Sequence, residues 1–356
     1  MVDAARPLFT APAAWYVDPE LLGRERTAIF ARTWQLFGHE SEFEQAGDWR
    51  AENLAGYPLV VVRDEAGRLN GFHDVCRHRA GPLTQGPKGR CDGALVCRYH
   101  GWRYAFDGRL RQARDFGPAP DFDPRAFSLF PVRVESWRGL VFLNLDLDAA
   151  PLAALVAPLE RRLQGRDWSG LKVGLTRSHR LACNWKTYVE NYLEGYHVPS
   201  IHPGLDAEID STRYSVTMDG HAALHEAPLR KPDPVYDGLW AWLWPNTGVN
   251  VYGEGLMVER MLPDGPHAMR LDYIYLTPGG EPVAEETVAM SDAVIAEDAW
   301  AVERVQQNLA AGIYATGRLS PRHELAIAAF QAWVGEALAA EPANAALPGP
   351  AEVFGA

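Results

Sequence analysis

Between residues 33 and 145 the apolar positions fall in short runs, 59–63, 69–75 and 94–103, each bounded by turn residues. That spacing predicts β-strands. Asp107-Gly108 is a hairpin dipeptide, and Trp137-Arg138-Gly139 separates the runs 132–135 and 140–145, which predicts a further strand pair. A small all-β domain follows. Residues 149–167, rich in Ala, Pro and Leu, read as a crossing helix or linker and put a domain boundary near 150. Beyond it the pattern predicts a strand over 171–181, a helix over 184–197 and several alternating strands between 211 and 290. Helices over 292–311 and 321–339 complete an α+β domain on an antiparallel sheet. No internal repeat or low-complexity segment is present.

The 356 residues, 47% hydrophobic and 22% charged, suffice for two domains with buried cores. A net charge of -12 disfavours a nucleic-acid surface. The first residues lack the basic-then-apolar order of a signal peptide, and the most apolar later stretch, 139–159, is interrupted by Asp146 and Asp148. No membrane span is expected. Four cysteines, Cys76, Cys91, Cys97 and Cys183, are too few for a disulfide framework in a chain this long and fit a cytoplasmic location.

The chemistry is concentrated in two motifs. Cys76-Arg77-His78 is followed, after eighteen residues, by Cys97-Arg98-Tyr99-His100. Two mixed Cys-His pairs can hold a [2Fe-2S] cluster asymmetrically, with Cys76 and Cys97 on one iron and His78 and His100 on the other. Neutral imidazoles in place of thiolates raise the reduction potential. A structural zinc site uses the same ligand types, but zinc fingers pair Cys with Cys and His with His at short separations.

The second motif lies in 184–197. On a helix Glu190, Glu194 and His197 would share one face. Pro199 and Pro203 then disfavour a continued helix, so the chain should turn and bring His202 toward His197. Two imidazoles and one carboxylate on one face suit ferrous iron that activates oxygen, but the carboxylate is not evident from spacing.

Taken together, Cys76-Arg77-His78-Arg79, Cys97-Arg98-Tyr99-His100-Gly101-Trp102 and Glu190 to His197 with His202-Pro203 resemble the Rieske non-heme iron oxygenases, over nearly the whole chain. The resemblance implies a small all-β Rieske [2Fe-2S] domain at 33–150 and a catalytic domain of helix-grip type at 151–356, with an N-terminal helical segment, 1–32, packed on the latter. It implies a mononuclear iron held by His197, His202 and a later acid. Asp298 matches that acid best, with Glu297 and Asp292 as competitors. It also implies a homotrimer in which Glu194 bridges one protomer's iron and its neighbour's cluster, and a separate NAD(P)H-dependent reductase of flavin or ferredoxin type, since no dinucleotide-binding fingerprint occurs in the chain.

Glutamate at position 194, where the family more often has aspartate, is similar to the branch acting on quaternary ammonium compounds such as choline, carnitine and betaines. There, hydroxylation of an N-methyl group amounts to demethylation. Leu243 to Thr247 and Gly317 to Ser320 also resemble that branch. Gly195 and Val198 stand where its members carry Cys, and Gly253-Glu254 departs after Asn250-Val251-Tyr252. Trp240, Trp242 and Trp244 alternate and should share a face, with Tyr252 on the next segment; together they are candidates for a cation cage, with Asn246 and Asn250 orienting a polar head. The alternatives are the alpha subunit of an aromatic ring dioxygenase or an aryl O-demethylase, a non-catalytic Rieske electron carrier, and a zinc-stabilised interaction module.

Overall fold

The structure, a computed structural model, describes residues 7–340 apart from Glu254. The predicted ends of the terminal domains, 1–6 and 341–356, and the Glu254 departure lie outside the described residues. The described residues divide into two compact units: Ala31–Ala150, and residues 7–30 together with 151–340.

The first unit has ten strands: β1 (Gln35–His39), β2 (Asp48–Leu54), β3 (Tyr57–Arg63), β4 (Leu69–His73), β5 (Lys88–Arg90), β6 (Leu95–Val96), β7 (Arg103–Tyr104), β8 (Leu110–Gln112), β9 (Pro131–Trp137) and β10 (Leu140–Asn144). Seven form an antiparallel sheet in the order β1-β10-β9-β4-β3-β2-β5, and β6-β7-β8 form a second, small sheet. Leu59, Val60, Val61 and Val62 of β3 are fully buried, which explains why its sequence is a continuous apolar run. The β9–β10 hairpin pairs Trp137 with Leu140 across Arg138 and Gly139, both at positive φ. That is the backbone a two-residue hairpin requires. A Cβ at Gly139 would lie 2.4 Å from the His39 ring. The run 94–103 is two short strands rather than one, because residues 97–101 leave the sheet to form a loop that Gly101 closes at φ 74°.

In the second unit α1 (Pro19–Glu25) continues into a π-turn, Arg26–Phe30. The buried Glu25 receives hydrogen bonds from Lys186 Nζ (2.5 Å) and Trp185 Nε1 (2.8 Å), joining the N-terminal segment to the helix that precedes the site. Next come α2 (Leu152–Arg162), β11 (Leu171–Leu181), α3 (Trp185–Tyr192), α4 (Val198–Ile201), α5 (Pro203–Glu208), then β12 (Ser215–Asp219), β13 (Ala222–Glu226), β14 (Tyr236–Leu243), β15 (Thr247–Tyr252), β16 (Leu256–Pro263) and β17 (Met269–Pro278). The long α6 (Glu285–Ala310) and α7 (Leu325–Ala340) follow. The sheet is an antiparallel meander from β12 to β17, with β11 added beside β17. Helices α3 and α6 pack together and α3 also contacts β16, which places the site between helix and sheet. No helix among the described residues is long and apolar enough to cross a membrane.

Helix α3 stops at Tyr192, short of the predicted end at residue 197. The Glu194 carboxylate takes the backbone N–H groups of Tyr196 and His197, diverting them from helical partners. Glu190, expected on a common face with Glu194 and His197, instead accepts hydrogen bonds from Tyr16 Oη (2.6 Å) and Gln331 Nε2 (3.0 Å).

Candidate active site

In the β-rich unit two loops converge. One follows β4 and carries Cys76 and His78; the other links β6 to β7 and carries Cys97 and His100. Both thiols are buried, 3% and 2% exposed, whereas both imidazoles are partly exposed. The His78 and His100 rings lie 4.4 Å apart, and Trp102 stacks on His78 at 5.0 Å. Tyr104 Oη sits 3.2 Å from Cys76 Sγ and accepts from the Arg77 N–H (3.0 Å). His78 Nδ1 is buried without a hydrogen-bond partner. A Cβ at Gly81 would come within 2.9 Å of Cys97 Sγ, so glycine leaves the thiol side of the cradle open. Orphaned nitrogen, paired thiols and bare backbone fit a bound cluster better than apolar packing.

The catalytic unit brings His197, His202 and Asp298 together, with one ligand atom from each within 4.8 Å of the others. Their surroundings repeat one arrangement. His197 Nδ1 is hydrogen-bonded to Glu194 Oε1, leaving Nε2 3.9 Å from Asp298 Oδ1. His202 Nδ1 is 2.7 Å from Glu297 Oε2, leaving Nε2 3.0 Å from the same Asp298 oxygen. Each imidazole is thus held by a glutamate at one nitrogen and presents the other to Asp298, which is how carboxylates orient metal-binding histidines. Asn191 Nδ2 donates to Asp298 Oδ1 at 2.7 Å. Burial acts to lower the basicity of His202, but its hydrogen bonds to Asp298 and Glu297 outweigh it and hold the imidazole above its usual range. The competing acids take other roles: Glu297 stands on the outer side of His202, and Asp292 pairs with Arg177 at 3.2 Å.

A cavity of about 80 Å³ opens beside these three residues. Its wall is aromatic: Tyr188, Tyr192, Tyr214, Tyr236, Trp240 and Tyr273. Trp240 lies between Tyr214 (5.9 Å, stacked) and Tyr236 (5.6 Å). Gly195 permits the Tyr214 position, since a Cβ there would fall 2.5 Å from the Tyr214 ring. Asn250 also lines the cavity, accepting from Tyr192 Oη (2.9 Å) and donating to Glu259 Oε1 (2.7 Å). Burial, reinforced by the nearby Asp298 charge, pushes the Glu259 carboxyl up to about 8.

Of the six predicted pocket residues, Trp240 and Asn250 line this cavity and four do not. Trp242 and Trp244 pack against Phe330 (5.7 and 5.8 Å) and Trp333 of α7. Strand alternation gives Trp240 and Trp242 a common face but does not say that different elements cover its two halves. Tyr252 lies behind the wall, stacked on Tyr236 at 5.2 Å with its hydroxyl 3.2 Å from Ser291 Oγ. Asn246 serves the β14–β15 turn by donating to Met261 O (3.1 Å). The tyrosines and Glu259 went unpredicted. Tyr188 and Tyr192, one helical turn apart, and Glu259-Arg260 inside an otherwise apolar strand were the available signals.

The sequence matches the Rieske [2Fe-2S] domain over residues 33–123 and the ring hydroxylating alpha subunit, catalytic domain, over 169–340. It is 31% identical to the chloroplastic choline monooxygenase of Arabidopsis thaliana, over 87% of this chain and 78% of that one. The chain belongs to the Rieske non-heme iron oxygenases. The carnitine monooxygenase oxygenase subunit of Escherichia coli (strain K12) is likewise 31% identical, over 85% of this chain and 84% of that one. Among solved structures, the quaternary ammonium Rieske monooxygenase described with carnitine oxidation by gut microbiota and inter-subunit electron transfer superposes with TM-score 0.83 at 27% identity, over 94% of this chain and 97% of that one. A Rieske oxygenase carries a [2Fe-2S] cluster and a mononuclear iron, and this oxygenase subunit draws electrons from a separate reductase. The electron-carrier and zinc-module alternatives fall with that membership.

Proposed function

We propose that this oxygenase hydroxylates or N-demethylates a small quaternary ammonium compound by inserting oxygen into one of its C–H bonds, at the cavity next to His197, His202 and Asp298. The carrying observation is the aromatic wall around Trp240 directly beside the three candidate iron ligands. Ring faces attract ammonium cations by about 0.5 to 2 kcal/mol per contact, more when water is excluded. Names of the relatives support the class, since two of them are choline and carnitine monooxygenases.

In this reading Cys76, Cys97, His78 and His100 hold the cluster, and His197, His202 and Asp298 hold the ferrous ion. When bound, the two centres supply one-electron transfer and the activation of dioxygen. The protein's own part is orientation of the iron-binding groups and of the substrate. Glu194 and Glu297 fix the two imidazoles, Asn191 fixes the carboxylate, and the aromatic wall lines the space beside them where the substrate would sit. Glu194 is further assigned to link the iron site with a neighbouring protomer's cluster in a homotrimer, a reading supported by the relative described with inter-subunit electron transfer. The reductase is assigned as NAD(P)H-dependent, of flavin or ferredoxin type, and the location as cytoplasmic, supported by Cys91 and Cys183, the two cysteines outside the cluster motif, which form no disulfide. A screen with a surrogate reductase tests the reading: choline, carnitine, γ-butyrobetaine or a betaine should raise oxygen uptake with matching product, formaldehyde where an N-methyl group is hydroxylated. Stimulation by simple aromatic acids alone would overturn it.

A further inference from the structure

Six acidic residues are less than a tenth exposed among the described residues: Glu25, Asp48, Asp64, Glu208, Glu259 and Asp298. A buried carboxylate is tolerated when a cation or metal meets it. Four of the six have a cationic partner: Glu25 with Lys186 (2.5 Å), Asp48 with Arg90 (2.6 Å), Asp64 with Arg68 (2.9 Å) and Glu208 with Lys231 (2.7 Å). Asp298 faces the two histidines of the iron site. Glu259 has no such partner. It is 5% exposed, and its hydrogen bonds come from the uncharged Asn250 (2.7 Å) and Tyr188 (3.3 Å). The arginine next to it in sequence, Arg260, pairs with Asp272 at 2.8 Å.

Glu259 also lines the cavity, and no lysine or arginine does so among the described residues. We infer that Glu259 is the counter-charge for the substrate's ammonium head, and that the substrate is a compact monocation with an uncharged tail rather than a zwitterion. The inference rests on the proposed ammonium chemistry and narrows it. A carboxylate on the substrate would meet no positive side chain in this cavity and would face Glu259, Glu194 and Asp298 instead. A fixed positive charge, by contrast, supplies a cation to a cavity acid that otherwise meets only uncharged donors. The raised Glu259 carboxyl fits this arrangement, since it describes the acid with the cavity empty of cation.

The test is binding to the anaerobic, fully loaded holoenzyme, measured by calorimetry with three probes of similar size: choline, glycine betaine, and the neutral isostere 3,3-dimethyl-1-butanol. Choline should bind at least about tenfold more tightly than either of the others. Glu259→Gln should weaken choline about 30-fold while changing the neutral isostere less than about threefold, because the aromatic contacts remain and only the charge is lost. If that variant does not fold, the wild-type comparison of choline with glycine betaine decides alone. Choline binding unchanged in Glu259→Gln, or glycine betaine binding as tightly as choline to the wild type, overturns the inference and leaves the ammonium reading standing. Binding of no ammonium compound at all, with turnover of an aromatic acid, removes both.

Discussion

Glu297 was a candidate ligand by sequence, yet its carboxylate sits on His202 Nδ1 while Asp298 faces Nε2. Replacing Glu297 with Ala should therefore loosen the iron without removing a ligand. A charge-assisted hydrogen bond contributes about 1.5–3 kcal/mol when well enclosed. The Glu297 side chain is 32% exposed, so water can take over part of its role, and about 1–2 kcal/mol is the appropriate range. That corresponds to about a 10-fold weaker hold on ferrous iron, at the low end of what is lost when a histidine's outer partner is removed. Asp298→Ala removes a direct ligand and should leave almost no mononuclear iron. The assay is anaerobic competition for Fe(II) against a chromogenic chelator, with the spin-resonance signal of the reduced cluster as internal control. If Glu297→Ala holds iron like the wild type, the orienting role is wrong. If it loses iron completely while Asp298→Ala keeps it, the two acids have been assigned the wrong way round.

Three further outcomes are expected. Glu194→Gln should keep the cluster signal and most of the iron but slow single-turnover electron delivery at least tenfold; unaltered single-turnover rates would remove Glu194 from the transfer path. Gly195→Ala would drive a Cβ to within 2.5 Å of the Tyr214 ring, so it should displace that wall residue and raise KM for the ammonium substrate several-fold, with iron content unchanged as the control. Burial lifts the Glu190 carboxyl to about 7 in the folded chain, against 4.5 when free. Above pH 4.5 the unfolded form ionises first, so this group lowers stability progressively up to about pH 7 and no further. Its full contribution is about 3 kcal/mol. Glu190→Gln should then be more stable than the wild type at pH 8, with little advantage at pH 4; a pH-independent difference in denaturation midpoint would contradict this.

Legibility followed sequence distance. The cluster ligands lie inside two short contiguous motifs, and the loops that hold them need little more than Gly81 and Gly101 to close, so residue types and spacing carried the chemistry. His197 and His202 were legible because prolines break the chain near them: Pro199 lies in the first turn of α4 and Pro203 begins α5 just after His202. Asp298 could be named only by resemblance, since it reaches the site from α6, about a hundred residues away, through packing on α3 that no local pattern encodes. The helix end at Tyr192 was missed because a side chain, not a proline or glycine, ends it: Glu194 captures backbone donors that a periodicity reading assigns to the helix. The tyrosine wall was invisible for a related reason. Its members come from α3, β14, β17 and the segment before β12, and only the folded meander puts them around one space.

Everything proposed for this chain depends on two distinct iron centres. Mössbauer spectroscopy of ⁵⁷Fe-loaded, anaerobically reduced protein tests this directly. The expected spectrum has about three irons per chain: one localised-valence pair from the cluster and one high-spin ferrous site that disappears in His197→Ala while the pair remains. A spectrum with the pair alone in the fully loaded wild type, or loss of the pair in His197→Ala, would contradict the account.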